Sequence, residues 1–299
     1  MVQFSWVNQE DSSKETTMSD YWYEVLSVLH LLAMLSLSQA NLLLLPKVPP
    51  DGSVLKVAAE CRKASIDVFL RAAGYLEFAV QHVLPQFPFE LRKDLPLDLT
   101  QEVLQALSLQ ALGQGVNVQL GMAIDSLKAT LAVKRRLACE MVTYLGQAHE
   151  SIMDLPLANR WGEKHKLFID WKYIEAKAVA YYFHGLILNE GNTEKSSEMA
   201  AAALQTAHKL VSESKKACES FHMMPPISRS PPLWDTSMCL AEKIPRDIAS
   251  KVFIKQHFNN QHKIMQAAPV LPDFVLSLKP DEYRLPPVDP SWNNNVQAS

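Results

Sequence analysis

Apolar side chains recur every three or four residues along most of the first 222 positions, and this spacing predicts amphipathic helices. Proline clusters separate the apolar stretches, and because proline lacks a backbone N–H, each cluster is expected to end a helix. The first helix is predicted over residues 20–45, with Asp20 as its cap and Glu24 in its first turn. A second helical face is predicted from Val54 to Val83.

Further helices are predicted up to the proline-rich end of the chain. One opens after Asp98, with Gln101 completing a capping box, and the next runs over about 125–153. Three glycines are expected to weaken the end of the first of these: Gly113, Gly115 and Gly121. Two more apolar faces, over 161–188 and 199–221, flank a glycine-containing turn and predict an antiparallel helix hairpin.

After residue 222 prolines become frequent, which predicts a largely extended tail with a short helix near 247–265. Apolar anchors such as Phe274, Leu278 and Leu285 remain, so the tail is expected to pack along the helices. The sequence therefore predicts an all-α fold: an elongated array of antiparallel helices, with an extended proline-rich C-terminal segment packed along it. One helical domain is expected over 1–292, followed by a disordered tail over 293–299.

The leucine-rich stretch 21–45 is long enough to cross a membrane. It nevertheless carries Glu24, His30 and Asn41, which are costly in lipid, so a buried core helix is the favoured interpretation. No lipid-attachment pattern is expected at either end of the sequence.

Composition limits the class of protein further. The chain has 299 residues, a formal net charge of −3 and no long basic stripe, which allows a large core and argues against a nucleic-acid partner. Its four cysteines are far apart and form no CxxC pair, as expected for reduced thiols in the cytosol.

No phosphate loop, dinucleotide fingerprint or hydrolase motif occurs, so we expect no catalytic site, metal, cofactor or small-molecule substrate. His165 with Glu163 and Asp170 could form a metal or acid–base cluster, but residues on the polar face of one helix explain them more simply. A hydrolase or transferase whose helical fold hides its active site is kept as a hypothesis for function, after the two that are given below.

Basic residues cluster in the stretch 128–136. Its members are Lys128, Lys134, Arg135 and Arg136. A solvated helix face is the ordinary explanation. The functional alternative is attraction of an acidic peptide helix or an anionic membrane surface, for which Val133 and Leu137 offer an adjoining apolar pair.

Several segments together resemble the BRO-type domain family of the ALIX and brox proteins. They are Leu104-Gln105-Ala106-Leu107-Ser108-Leu109-Gln110-Ala111, Leu137-Ala138-Cys139-Glu140 with Tyr144, Trp171-Lys172-Tyr173-Ile174-Glu175-Ala176-Lys177, and Leu271-Pro272-Asp273-Phe274. With Leu285-Pro286-Pro287-Val288-Asp289-Pro290, the pattern is most similar to plant endosomal-targeting BRO-like proteins. The resemblance extends over nearly the whole chain.

The resemblance implies a curved domain with a tetratricopeptide-like helical core. It also implies a non-enzymatic cytoplasmic adaptor, recruited to endosomes for multivesicular-body sorting or membrane scission, with possible peripheral membrane contact. In the family, a groove on the concave face of this domain receives the C-terminal amphipathic helix of an ESCRT-III subunit. Its positions would fall here at Leu120, Ala129, Val133, Leu137 and Leu285, with the basic cluster as a charged rim. Ala129 stands where a larger side chain is familiar, and Leu120 replaces an aromatic residue.

The resemblance further implies that elements preceding the family's equivalent of Phe4 are missing, so the chain is expected to be N-terminally shortened. If those elements cover residues 25–45, a large apolar patch would be exposed and would promote association.

The rival hypothesis for function is a general helical-repeat peptide receptor, in which Lys128, Arg135 and Arg136 would clamp a phosphorylated ligand.

Overall fold

Eight α-helices and one two-stranded hairpin form the part of the chain that the computed structural model describes, which is residues 2–9, 12–46, 57–156, 160–191, 193–227, 235–250 and 267–287. The elements are β1 (Phe4–Val7), β2 (Glu15–Met18), α1 (Tyr21–Leu43), α2 (Ala59–Phe78), α3 (Phe89–Arg92), α4 (Gln101–Asp125), α5 (Leu131–Ile152), α6 (Arg160–Asn189), α7 (Glu194–Met223) and α8 (Asp235–Ser250). The predicted all-α class is confirmed. The antiparallel β1–β2 hairpin, which pairs Phe4 with Met18, was not predicted.

The long helices pack in a row in the order α1, α2, α4, α5, α6, α7. The most extensive contact joins α6 and α7, which confirms the predicted hairpin. Gly185 allows these two helices to approach closely, because a Cβ there would lie 2.7 Å from Cγ of Leu204. At the other end of the pair, the rings of Trp171 and Phe221 are 5.5 Å apart. The antiparallel pair thus packs along its full length.

Helix α1 begins as predicted, since the Asp20 side chain accepts a hydrogen bond from the backbone N–H of Trp22 at 2.8 Å. One face of α1 is buried in the core, including Tyr23, Leu26 and Ala33, each 0% exposed. By length and composition this helix could cross a membrane, with a mean hydropathy of 1.5 over its most apolar window, of which 44% is buried. Its opposite face is exposed and apolar.

Helix α4 begins differently from the prediction. Its N-cap is Thr100, and Asp98 lies in the preceding 3-10 turn, where its carboxylate accepts a hydrogen bond from the backbone N–H of Gln9 at 2.7 Å. The capping box at Asp98 was therefore wrong. The three glycines do not weaken the end of the helix, since α4 continues past Gly121 to Asp125. Gly113 serves close packing, because a Cβ there would lie 2.9 Å from Cγ of Leu145. Helix α5 starts at Leu131, beyond the predicted position near residue 125.

The extended segment 267–287, called the tail below, contains no helix or strand and packs along the helices, as predicted. Helix α8 starts at Asp235 and contains Pro245, so it begins earlier than the helix predicted near 247–265. Residues 251–266 and the predicted disordered end at 293–299 lie outside the described residues.

Candidate partner-binding surface

The buried carboxylate of Glu140 on α5 holds the tail. Glu140 is 1% exposed and accepts three hydrogen bonds, from Ser277 N at 2.6 Å, Ser277 Oγ at 2.7 Å and Leu278 N at 2.9 Å. One helical turn further along α5, the hydroxyl of Tyr144 donates to the carbonyl oxygen of Leu278. Burial, with a smaller contribution from Glu140, raises the pKa of Tyr144 to about 12, so this hydroxyl stays protonated as a donor.

The tail then crosses from α5 to α2. The backbone N–H of Asp281 donates to the carbonyl oxygen of Leu70 at 3.1 Å. Gly74 makes this approach possible, since a Cβ there would lie 2.3 Å from the carbonyl oxygen of Asp281. The ring of Tyr283 then packs edge-on against Tyr75, with the ring centroids 4.9 Å apart. The tail thus contacts two helices that are not neighbours in the row.

The N-terminal half of α5 and the start of the tail form an exposed surface. Val133 is 46% exposed and Val275, on the tail, is 85% exposed. Arg136 joins the two elements, because its guanidinium lies 3.5 Å from the carbonyl oxygen of Val275. Leu137, one helical turn after Val133, is partly buried against the core. We call Val133, Arg136, Leu137 and Val275 the α5–tail surface.

The basic cluster does not act as one unit. Lys128 and Arg136 are exposed, and Lys134 is partly exposed. Arg135 turns inward: its guanidinium lies 3.5 Å from Nδ1 of His184, and its Cζ atom is 5.7 Å from the centre of the Phe274 ring. Burial, and secondarily Arg135, lowers the pKa of His184, so the imidazole is neutral and can accept from the arginine.

The predicted groove positions are not all brought together. Val133 and Leu137 share one helix face, and Ala129 is partly exposed in the turn before α5. Leu120 is 0% exposed and belongs to the core, because α4 is apolar on all sides and is enclosed by its neighbours. Leu285 is 40% exposed and lies just beyond Tyr283, on the α2 side of the tail.

Sequence reasoning missed Val275. Residues in an extended segment without periodicity give no sign of which side chains face solvent, and the flanking apolar residues suggested only that the segment packs. The nearest available signal was Phe274, which was expected to be an anchor and does contact Arg135.

A cavity of about 230 Å³, lined by both polar and apolar side chains, lies between α1, α4 and α6. His165 lines it and its Nε2 lies 2.7 Å from Oε1 of Gln110. Burial, with His30 as the smaller cause, lowers the pKa of His165 to about 4, so the ring is neutral near pH 7. The alternative of a metal or acid–base cluster formed by His165, Glu163 and Asp170 is not supported, because Asp170 lies 3.3 Å from His149 and Glu163 is exposed. Among the described residues, no group of three potential metal ligands occurs.

Cys218 and His222 come nearest to a nucleophile–base pair, with Sγ and Nδ1 3.4 Å apart. Burial raises the pKa of the Cys218 thiol, which disfavours the reactive thiolate. Nδ1 of His222 also lies 2.7 Å from the backbone carbonyl oxygen of Cys218, to which it must donate a proton. This nitrogen therefore cannot accept the proton of the thiol.

The described residues thus form a helical scaffold, a row of helices that exposes aliphatic and basic side chains at the α5–tail surface. The chain belongs to the BRO1-like domain family, whose model matches residues 1–262. Comparison with curated proteins gives no match.

Solved structures share the fold. The complex of the ALIX BRO1 domain with CHMP4C is 18% identical with a TM-score of 0.64, and the match covers 95% of this chain and 71% of that chain. ALIX in complex with the SIVmac239 PYKEVTEDL late domain is 18% identical with a TM-score of 0.65, covering 95% of this chain and 37% of that one. A Bro1 domain described for endosomal targeting is 16% identical with a TM-score of 0.61, covering 94% and 69%.

Proposed function

We propose that the protein is a non-enzymatic endosomal adaptor that binds the C-terminal amphipathic helix of an ESCRT-III subunit at the α5–tail surface. The observation that carries this proposal is the exposed aliphatic and basic surface at Val133, Arg136 and Val275 in a BRO1-like chain. The structural similarity to the ALIX BRO1 domain bound to CHMP4C supports the choice of partner. Such an adaptor would be cytoplasmic, would be recruited to endosomes and would act in multivesicular-body sorting or membrane scission.

The chemistry of the surface suits an amphipathic helix. Val133 and Leu137 are one turn apart and offer the aliphatic contacts into which a partner's apolar face can pack. Val275 extends this apolar area from the tail, while Lys128 and Arg136 supply positive charge for acidic residues on the partner's rim. Ala129 adds little contact area, so we expect a modest, micromolar affinity. Leu120 and Leu285 are not part of this proposed surface.

Fluorescence anisotropy with a labelled peptide of the CHMP4C C-terminal helix tests the proposal. Val133→Asp places a charge on an exposed position of the surface, and we expect the affinity to fall about 30-fold, the equivalent of about 2 kcal/mol. Met223→Asp is the matched control, since Met223 is 78% exposed at the end of α7, away from this surface. Equal binding by the wild type and Val133→Asp, with unchanged circular dichroism, would refute the site.

A phosphopeptide receptor is the weaker alternative. The proposed clamp required Lys128, Arg135 and Arg136 to converge, but Arg135 is directed toward His184 and Phe274. A phosphorylated peptide that binds much more tightly than its unphosphorylated form would favour this alternative over the helix-binding adaptor.

A further inference from the structure

Side chains of the tail alternate between the helices and solvent. Phe274, Leu276 and Leu278 are buried or partly buried in the core, whereas the intervening Val275 and Ser277 are exposed. A period of two is that of an extended chain, in which successive side chains point to opposite sides. A shift of one residue along α5 would therefore turn Val275 inward and Leu276 outward. Which side chains belong to the α5–tail surface thus depends on the register of the tail.

Two contacts, one helical turn apart on α5, pair the helix with the tail. Arg136 lies against the carbonyl oxygen of Val275, and Glu140 accepts the backbone N–H of Ser277. Four residues of helix advance about 6 Å, and two residues of extended chain advance about 6.6 Å. The two elements therefore run in the same direction with nearly matched spacing, and a contact that fixes one pair also fixes the other.

Of these two contacts, the one at Glu140 determines the register. The bond from Arg136 is long, at 3.5 Å, and exposed, so it restrains the tail weakly. Glu140 is 1% exposed, and its carboxylate accepts three bonds at 2.6–2.9 Å from Ser277 and Leu278. A slip of one residue would put Leu276 or Leu278 in the place of Ser277. The buried carboxylate would then lose its hydroxyl donor, which is costly for a buried charge.

We propose that Glu140 is a positioning residue for partner binding, which sets the tail in the register that presents Val275 to the partner helix. The inference rests on the adaptor function proposed above. Glu140 is buried and would not itself touch the partner. It would act through Val275, which precedes the first residue bonded to Glu140 by two positions and is 85% exposed.

Thiol labelling tests the register without a partner. A cysteine is placed at Val275 or Leu276, and peptide mass spectrometry measures its alkylation by iodoacetamide separately from that of the native cysteines. In the register of the structure, Val275→Cys should react at least about tenfold faster than Leu276→Cys, because Leu276 packs against the core. Adding Ser277→Asp places a second carboxylate against Glu140, and this repulsion should bring the two rates within about threefold of each other.

Peptide binding tests the consequence for the partner. Val275→Ala should weaken binding of the labelled CHMP4C C-terminal helix about fivefold. In the Ser277→Asp background the same truncation should change the affinity by less than about twofold, because Val275 no longer faces the partner, whereas Val133→Ala should keep its full effect. Direct repulsion of an acidic partner by the new aspartate would instead leave the effect of Val275→Ala intact, and this result would overturn the proposal.

Two further variants control these measurements. Glu140→Ala should reproduce both results from the side of α5. Ser212→Asp makes the same change at an exposed position of α7 and should alter neither the labelling ratio nor the peptide affinity. Circular dichroism checks that every variant keeps its helices.

The outcomes separate this inference from the adaptor function. If the wild type binds the peptide but the labelling ratio is unchanged in Ser277→Asp and Glu140→Ala, Glu140 does not set the register and only the present proposal fails. A lost ratio together with a full effect of Val275→Ala in both backgrounds would also overturn it, since partner binding would then be independent of the register. A wild type that does not bind the peptide would overturn the adaptor function and, with it, the role of Glu140 in partner binding.

Discussion

Replacing Glu140 should release the tail from α5. Its carboxylate accepts hydrogen bonds from two backbone N–H groups and one hydroxyl, all on Ser277 and Leu278, at 2.6–2.9 Å. A hydrogen bond to a charged acceptor contributes about 1.5–3 kcal/mol, and a buried donor without a partner is penalised by about 1–3 kcal/mol. Because the three bonds share one acceptor and are not additive, we expect Glu140→Ala to weaken tail docking by about 3–4 kcal/mol.

Amide hydrogen exchange measures this docking directly. If tail docking weakens by about 3–4 kcal/mol, protection of the Ser277 and Leu278 amides should fall by roughly two to three orders of magnitude in Glu140→Ala. Glu140→Gln keeps the side-chain volume and one carbonyl acceptor, so it should weaken tail docking by only about 1–2 kcal/mol. Glu150→Gln, at an exposed position of the same helix, is the matched control and should leave protection unchanged.

Protection within threefold of the wild type in Glu140→Ala would refute the assigned role of Glu140 in holding the tail. If Glu140→Ala lowers the protection of α5 amides as much as that of the tail, the carboxylate would instead be stabilising the helix itself.

Three other perturbations test the structure. Gly74→Ala should displace the tail, because the new Cβ would meet the Asp281 carbonyl oxygen at 2.3 Å. We expect tail docking to weaken by about 1–3 kcal/mol and proteolysis between residues 267 and 287 to become faster. Unchanged cleavage would contradict the close approach. His165 is protonated in the unfolded chain below about pH 6.5, whereas burial lowers its pKa in the folded protein to about 4. The free energy of unfolding should therefore be unaffected by His165 above pH 6.5 and should fall by about 1.4 kcal/mol per pH unit from there toward pH 4. Urea unfolding at several pH values should show a shallower fall in His165→Gln but not in His208→Gln, which changes an exposed histidine. Burial raises the pKa of Cys139 to about 11, so iodoacetamide at pH 8 should modify it only after unfolding, and rapid labelling of the native protein would show that the thiol is accessible.

The helices could be predicted because their main signals are local. Asp20 caps α1, and the three-and-four spacing of apolar residues identifies the faces of α6 and α7. The β1–β2 hairpin was missed, since two strands of four residues with one apolar face leave too little pattern to distinguish them from a loop. Asp98 satisfies the local capping rule, yet its carboxylate is used by Gln9, 89 residues earlier in the chain.

The candidate surface could be predicted only in part, because only the part of it that lies within one helix follows from local sequence. Val133 and Leu137 belong to one helix, so their shared face follows from helical geometry. Leu120 has the same residue type as a groove position, but its exposure depends on which helices enclose α4, and this is a property of the assembled row. Val275 joins the surface only through a contact with Arg136 that spans 139 residues of sequence.

That sequence separation has a consequence for the order of assembly. The helix hairpins form from segments close together in the chain, whereas the bonds from Glu140 to Ser277 and Leu278 close loops of 137 and 138 residues. Contacts between distant segments form late, because the chain must lose its loop entropy before they can stabilise anything. During synthesis, α5 leaves the ribosome long before the tail does, so Val133 is present while Val275 is still untranslated. The α5–tail surface is therefore complete only after the tail has been synthesised and has docked on α5, and the partner binding proposed above would have to wait for that step.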